Sequence, residues 1–431
     1  MTVRRVRAAV ALVAALISLA GCTGSPPRVI VPTSPTSPNT SRGGGSGFQA
    51  NPLCRRPALL PTPPSPSVGS LPPAISLVAG QVERVRQLRF ERSVIPEPVS
   101  RAEIERQLHA SLEAQLRADE AAREGRTWIT IGALPAGTDL RRAAVDFGTS
   151  QIIGYYDTRS HRLVFQGGAS PTPYERFTLA HELTHALDDQ HFDLSRLDRL
   201  NDTCQDERAE AMLSLAEGDA VETQLQWARE DLSAREITAL QREASSFPPP
   251  PASTPEFVRQ MFQFPYPNGQ AFVEALLARG GEAAVDAAFR NPPVSTEQVL
   301  HPEKYPDDRP QAVQIPDLSS RLGTGWSLLE QEDVGEGWLL MLLGLRLSTD
   351  ESKAAAAGWD GGLLRSWSKG SQTAVLIQTV WDTERDAQEF AAAMAEWIGG
   401  HAAEARRTGE TVRVFFGSDR ATLREIEAAA A

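Results

Sequence analysis

One stretch limits the folds open to this chain more than any other: residues 175–192, ERFTLAHELTHALDDQHF. Leu179, Leu183, Ala186 and Leu187 recur at three- and four-residue steps, and no Gly or Pro interrupts them. The pattern predicts a helix. Residues four apart lie on one helical face, so His181 and His185 can aim their imidazoles at one ion. Glu182 stands one step round. Two histidines and a glutamate in the spacing HExxH match a zinc site in which the carboxylate acts as general base toward a water activated by the metal. The same residues occur on metal-free surface helices. The helical context, the packing position Ala180 and the acidic pair Asp188-Asp189 favour the zinc site here.

A tetrahedral zinc needs a third protein ligand, and a second long helix supplies a candidate. Residues 206–231, DERAEAMLSLAEGDAVETQLQWARED, place Glu207, Glu210, Ser214, Glu217 and Val221 on one face. Glu217, within LAEGDA, is the favoured ligand. Gly218 leaves room for a neighbouring helix, and Asp219 is a candidate to bond a ligand histidine. His191 competes, because His181, His185 and His191 fit the metzincin spacing HExxHxxGxxH. In that pattern a Gly ends the helix with positive φ and swings the third histidine round. Asp188 occupies the Gly position, and on a continuous helix His191 lies about 240° from His185. No Met-turn is evident, since Met212 falls inside the second helix. Asp tolerates the left-handed conformation, so His191 stays open as the alternative.

HELTHALDD resembles the active-site helix of thermolysin-like zinc peptidases, which carry an Asp four residues after the second His. Asp189 holds that position, and the resemblance implies that it orients a ligand histidine. IIGYYDTRSHRLVF, LAHELTHALDDQHFDL, LAEGDA and STEQVLHPEKY, in that order, are similar to a little-characterised group of bacterial neutral zinc metallopeptidase-like proteins. The chain departs from their pattern at Asp157-Thr158, where Asp-Pro is usual, and at Asp188, where Gln is usual. The resemblance covers about residues 80–400. It implies a zincin-like fold with Glu217 as third ligand and says little about substrate.

The first residues concern compartment. Arg4, Arg5 and Arg7 precede an apolar run from Ala8 to Leu19, too short for an ordinary spanning helix. Leu19-Ala20-Gly21-Cys22 then resembles the lipobox of bacterial lipoproteins, which implies a signal peptide over 1–21, lipid on Cys22 and attachment to the extracytoplasmic face of the membrane. Residues 22–75 are rich in Pro, Ser, Thr and Gly and form a linker that cannot bury a core. Cys54 and Cys204 remain as a pair. A disulfide is their expected use in an oxidising compartment, with Cys204 as a zinc ligand the alternative. The formal net charge of −12 argues against an electrostatic nucleic-acid binder.

Between these landmarks, Ser100 with Glu103 forms a capping-box signal for a helix that Gly125 ends. Residues 151–157 and 162–165 predict a β-hairpin directly before the HELTH helix. The resemblance to zincins implies a sheet edge there that takes the substrate as an added strand, and a hairpin that only packs the helix is the alternative. HFDLSRLDRLNDT reads as a polar connection. Residues 230–290 read as helical, with breaks at 247–253 and at Gly280-Gly281. His301 and Tyr305, in HPEKY, are candidate oxyanion stabilisers. From 323 onward, alternating strands and helices predict a small α/β unit without catalytic residues, in which Trp359, Trp367 and Trp381 belong to the core. The expectation is an α+β chain: a mostly helical zincin-like metallopeptidase domain with a small hairpin or sheet over 76–322, and a C-terminal α/β unit over 323–431 packed on it. Its expected activity is zinc-dependent peptide hydrolysis. An inactive zinc-binding adaptor of the cell envelope and a cell-wall amide hydrolase remain the alternatives. The presence of Glu182 favours an enzyme, because a pure binding site does not need it.

Overall fold

The computed structural model describes residues 48–55, 72–168 and 170–431, together with the backbone of a three-residue strand, Val13–Ala15. Cys22 and most of the expected linker lie outside the described residues. The chain is of the α+β class, 56% helical with two sheets.

Helix α1 (Pro73–Arg86) buries Ile75, Val78, Val82 and Val85, a stripe at helical spacing. Strand β1 is Val13–Ala15, and β2 (Glu97–Val99) precedes α2 (Arg101–Gln115). Ser100 caps α2 by accepting the Glu103 N–H, but the Glu103 carboxylate turns to Arg106 and Gln107, so the expected box is half formed. The helix does not continue to Gly125. It ends at Leu116, and a second helix, α3 (Ala118–Ile131), carries Gly125 inside it. A Cβ at Gly125 would lie 3.2 Å from Cβ of Leu140, the first residue of α4 (Leu140–Gln151). That glycine therefore serves a helix crossing and not a stop.

The expected hairpin forms as β3 (Ile152–Asp157) and β4 (Arg162–Gln166), paired antiparallel. With β2 parallel to β4 and β1 antiparallel to β3, it completes a sheet in the order β1-β3-β4-β2. The HELTH helix is α5 (Pro173–Phe192). Thr172 and Glu175 make a reciprocal capping box, and Pro173 at the first position suits a helix start. Apart from the ends, α5 is buried on every side, as befits the central helix of the fold.

The stretch read as a polar connection is itself helical, α6 (Ser195–Asp202), with Leu197 and Asn201 turned inward. Helix α7 (Asp206–Asp231) follows, then α8 (Ala234–Ala244), α9 (Glu256–Gln263), α10 (Pro265–Gly280), α11 (Glu282–Arg290) and α12 (Thr296–Leu300). Helices α7 and α10 cross at backbone contact. A Cβ at Gly218 would strike the Gly269 carbonyl and reach 2.7 Å from the Gln270 nitrogen, and one at Gly269 would strike the Ser214 carbonyl. Only glycine at both positions permits that approach.

The second sheet contains β5 (Ser327–Asp333), β6 (Trp359–Lys369), β7 (Gln372–Trp381), β8 (Ala403–Thr408) and β9 (Thr411–Gly417) in the antiparallel order β5-β6-β7-β9-β8. The short α13 (Ser319–Leu322) precedes it. Helices α14 (Glu336–Leu343), α15 (Thr349–Ala356), α16 (Glu384–Ile398) and α17 (Arg420–Ala430) surround it. Leu364, Val375, Ile377, Val414 and Phe416 on one face join a core that runs on through Trp338 into α2, α3, α4 and α9. Trp367, Leu376 and Phe415 on the other face pack under α17 with Leu423 and Ile426. Trp359, Trp367 and Trp381 are fully buried, as core residues should be. Cys54 and Cys204 form a disulfide that fixes residues 48–55 at the turn between α6 and α7. No helix among the described residues is long and apolar enough to cross a membrane.

Candidate metal centre

Helices α5 and α7 lie side by side and bring three donor atoms together in the core. The His181 Nε2–His185 Nε2 distance is 3.1 Å, His181 Nε2–Glu217 Oε2 is 3.1 Å, and His185 Nε2–Glu217 Oε2 is 3.5 Å. All three side chains are buried. A tetrahedral ion with bonds of about 2.0–2.1 Å separates its ligand atoms by about 3.3 Å, so this triangle has the dimensions of a zinc site. The chemistry fits as well. Burial pushes the His181 pKa down to about 3, against the nearby Gln224 amide, which favours the charged ring. Burial and the neighbouring His181 hold His185 well below its ordinary value. Neutral imidazoles carry the lone pairs that a metal requires. Three electron-pair donors facing one spot inside the core need a cation or shared protons to be stable.

Glu182, next to His181 in the chain, is buried where α5 meets strand β3. A Cβ at Gly154 would lie 2.9 Å from the Thr178 methyl and 3.2 Å from Cγ of Glu182. Gly154 thus clears the space that the Glu182 side chain fills, a role that the sequence reading did not assign.

His191 does not join the site. Helix α5 continues through Asp188 to Phe192 and ends only at Asp193, in the left-handed conformation. The His191 ring points away and its Nε2 bonds the Arg89 carbonyl at 2.8 Å. The metzincin-type alternative is therefore removed, because the early turn it needs is absent.

Neither expected supporting carboxylate meets a ligand histidine. Asp189 accepts the Tyr156 hydroxyl at 2.8 Å and the Leu194 N–H at 2.9 Å, and it pairs with His161 Nδ1 at 2.9 Å. Both of its oxygens are used in tying the hairpin to the end of α5. Asp219 accepts from Arg86 Nε at 2.7 Å. Two residues past Glu217 is about 200° round the helix, so Asp219 faces away from the triangle. Arg86 is fully buried and also pairs with Glu282 and Asp286 at 2.9 and 2.8 Å, joining α1, α7 and α11. The neighbouring amide that favours the charged form of His181 is Gln224, seven positions after Glu217 on the same face of α7, although His181 Nδ1 itself makes no hydrogen bond among the described residues. Its Nε2 is anchored on the Phe177 carbonyl at 2.9 Å.

His301 and Tyr305 are also placed otherwise than expected. His301 Nε2 bonds Glu336 at 2.8 Å; burial opposes its charge, but Glu336 more than offsets this and raises its pKa. The Tyr305 hydroxyl donates to the Asn291 carbonyl at 2.7 Å. Between them Lys304 sits among Glu297, Asp308 and Asp382 at 2.5, 3.3 and 2.6 Å, so the cation in that carboxylate cluster is the chain's own. A tyrosine that does lie beside the triangle is Tyr266 of α10. Its ring stacks on His181 at 6.5 Å with 28° between planes. The Gly218–Gly269 crossing brings it there, and no local motif marks it.

Residues 274–427 match a family described as a domain of unknown function, DUF8575. That match begins inside α10 and contains none of His181, Glu182, His185 and Glu217. No curated protein and no solved structure matches the chain.

Proposed function

We propose that this chain is a lipid-anchored, extracytoplasmic zinc metallopeptidase that hydrolyses peptide bonds. The observation that carries the proposal is the buried triangle of His181, His185 and Glu217 with Glu182 at its side. These three residues would hold the ion, which when bound supplies Lewis acidity and lowers the pKa of a water to about 7. Glu182 would then take the proton of the attacking water at its carboxylate and pass it to the leaving amine. Strand β3, with Gly154 pressed against Glu182, lies between β1 and β4 and would become an edge along which an extended peptide could align once residues 1–21, which carry β1, are cleaved. The Tyr266 hydroxyl replaces His301 and Tyr305 as the candidate donor to the developing oxyanion. Gln224 would fix the His181 ring. The apolar run and LAGC at the N-terminus support the membrane anchor, and they call for a second acyl chain, since one chain holds a protein only marginally.

The test uses two substitutions with distinct expectations. Glu182→Gln should keep about one zinc per chain and lose casein hydrolysis by about 10²–10⁴-fold. Glu217→Ala should lose both zinc and activity. Full zinc content in Glu217→Ala refutes the ligand set. A wild-type protein that binds zinc and cleaves nothing across a broad peptide library refutes the peptidase and favours an adaptor.

A further inference from the structure

A cavity of about 530 Å³ opens at the C-terminal end of α5, and none of His181, Glu182, His185 and Glu217 lines it. Its size is that of a small-molecule site. Three arginines line it: Arg92 from the segment before β2, Arg196 from α6 and Arg290 from the end of α11. Each is held in place. The Arg92 backbone exchanges two hydrogen bonds with the Gln190 side chain, at 2.9 and 3.0 Å. Arg196 donates one Nη to the Phe289 carbonyl at 2.8 Å. Arg290 lies over the Phe192 ring at 5.5 Å.

The carboxylates around them are already committed. Asp189 serves Tyr156, His161 and Leu194, and Asp193 serves Arg199 at 2.7 Å and Ser195. Asp286 reaches Arg290 only at 3.7 Å while it bonds Arg86 at 2.8 Å. No carboxylate among the described residues pairs with the Arg92 or Arg196 guanidinium within salt-bridge distance. Three arginines lining one cavity are unexpected in a chain of net charge −12. One wall is apolar: Phe192 and Phe289 stack at 4.9 Å with 7° between planes.

We propose that this cavity binds a phosphate-bearing ligand, with the phosphate between Arg92, Arg196 and Arg290 and the organic part against Phe192 and Phe289. Guanidinium forks match phosphate oxygens in pairs, and an anion there needs no proton from the protein. The site is independent of the metal. Its phosphate could belong to a soluble monoester or to a membrane headgroup, and the test separates the two.

The full chain is stripped of metal with EDTA, because phosphate also ligates zinc. It is titrated by calorimetry with inorganic phosphate and with phenyl phosphate, and it is sedimented with phosphatidylcholine vesicles with and without phosphatidylglycerol. Phenyl phosphate should bind more tightly than inorganic phosphate. Arg92→Ala and Arg290→Ala, both at exposed positions, should each weaken binding by about tenfold. Arg142→Ala, an exposed arginine elsewhere, should not. Arginine-dependent sedimentation with the anionic vesicles, without binding of the soluble ester, assigns the phosphate to a lipid. Absence of binding to all three probes, or binding indifferent to Arg92→Ala and Arg290→Ala, overturns the proposal.

Discussion

Gly218→Ala tests whether the crossing of α7 and α10 sets the metal triangle. The added Cβ would lie 2.7 Å from the Gln270 nitrogen and closer still to the Gly269 carbonyl oxygen, where ordinary contacts begin at 3.4 Å. Both opposing atoms are backbone, so no side chain can swing aside, and the helices must part by about 1 Å. Overpacking of this kind costs about 1–3 kcal/mol, which exceeds the roughly 1 kcal/mol that Ala gains over Gly in a helix. Glu217 is the adjacent residue. Metal–ligand distances tolerate about 0.2 Å, so a shift of that size in α7 should weaken zinc binding even where the fold survives. Gly80→Ala is the internal control. Gly80 is exposed in α1 and a Cβ there meets nothing within 4 Å, so the same substitution should stabilise by up to about 1 kcal/mol. Urea unfolding of both metal-free variants gives the stabilities, and zinc titration gives the affinities. If Gly218→Ala matches Gly80→Ala in stability and keeps wild-type zinc affinity, the reasoning from backbone contact is wrong.

Two further perturbations have defined signs. Cys204→Ser opens a bridge that spans 150 residues, and the loop-closure account gives a loss of up to about 5 kcal/mol, to be read as a lower denaturant midpoint; an unchanged midpoint would show that the bridge is dispensable. Burial, and after it Asp219, push the Glu282 carboxyl up to about 7 against the opposing Arg86 charge. A carboxyl whose folded pKa lies above its unfolded value contributes stability below about pH 4.5 that is lost as pH rises through about 7, so Glu282→Gln should flatten the decline in stability across that window, measured on metal-free protein.

Much of the centre was legible because periodicity governs it. The stripes that predict α5 and α7 are buried as read, and Gly218 does meet a neighbouring helix. What escaped was whatever depends on partners far along the chain. Asp189 stands in the spacing of a ligand-orienting residue, yet Tyr156 and the turn at Leu194 capture its oxygens. Gly125 looks like a stop until Leu140 is seen against it, while the true break at Leu116 carries neither Gly nor Pro. Helix α6 has too few apolar residues to announce itself, and its inward side is the pair Leu197 and Asn201. His301 and Tyr305 had suitable chemistry without position, and Tyr266 had position without a motif. Gln224 was within reach of the same argument as Glu217, seven residues on.

The bridge at Cys54 also sets a leash. If Cys22 carries the lipid, the bridged protein is held by residues 22–47, because 48–55 is docked through Asn51 to the Gln331 carbonyl at 2.8 Å as well as through the disulfide. Those 26 residues reach at most about 90 Å when fully extended. Opening the bridge and releasing that docked segment would extend the tether to residue 71, which is 50 residues and at most about 170 Å. One covalent bond, remote from the candidate metal centre, would then decide how thick a layer above the membrane helix α5 can search.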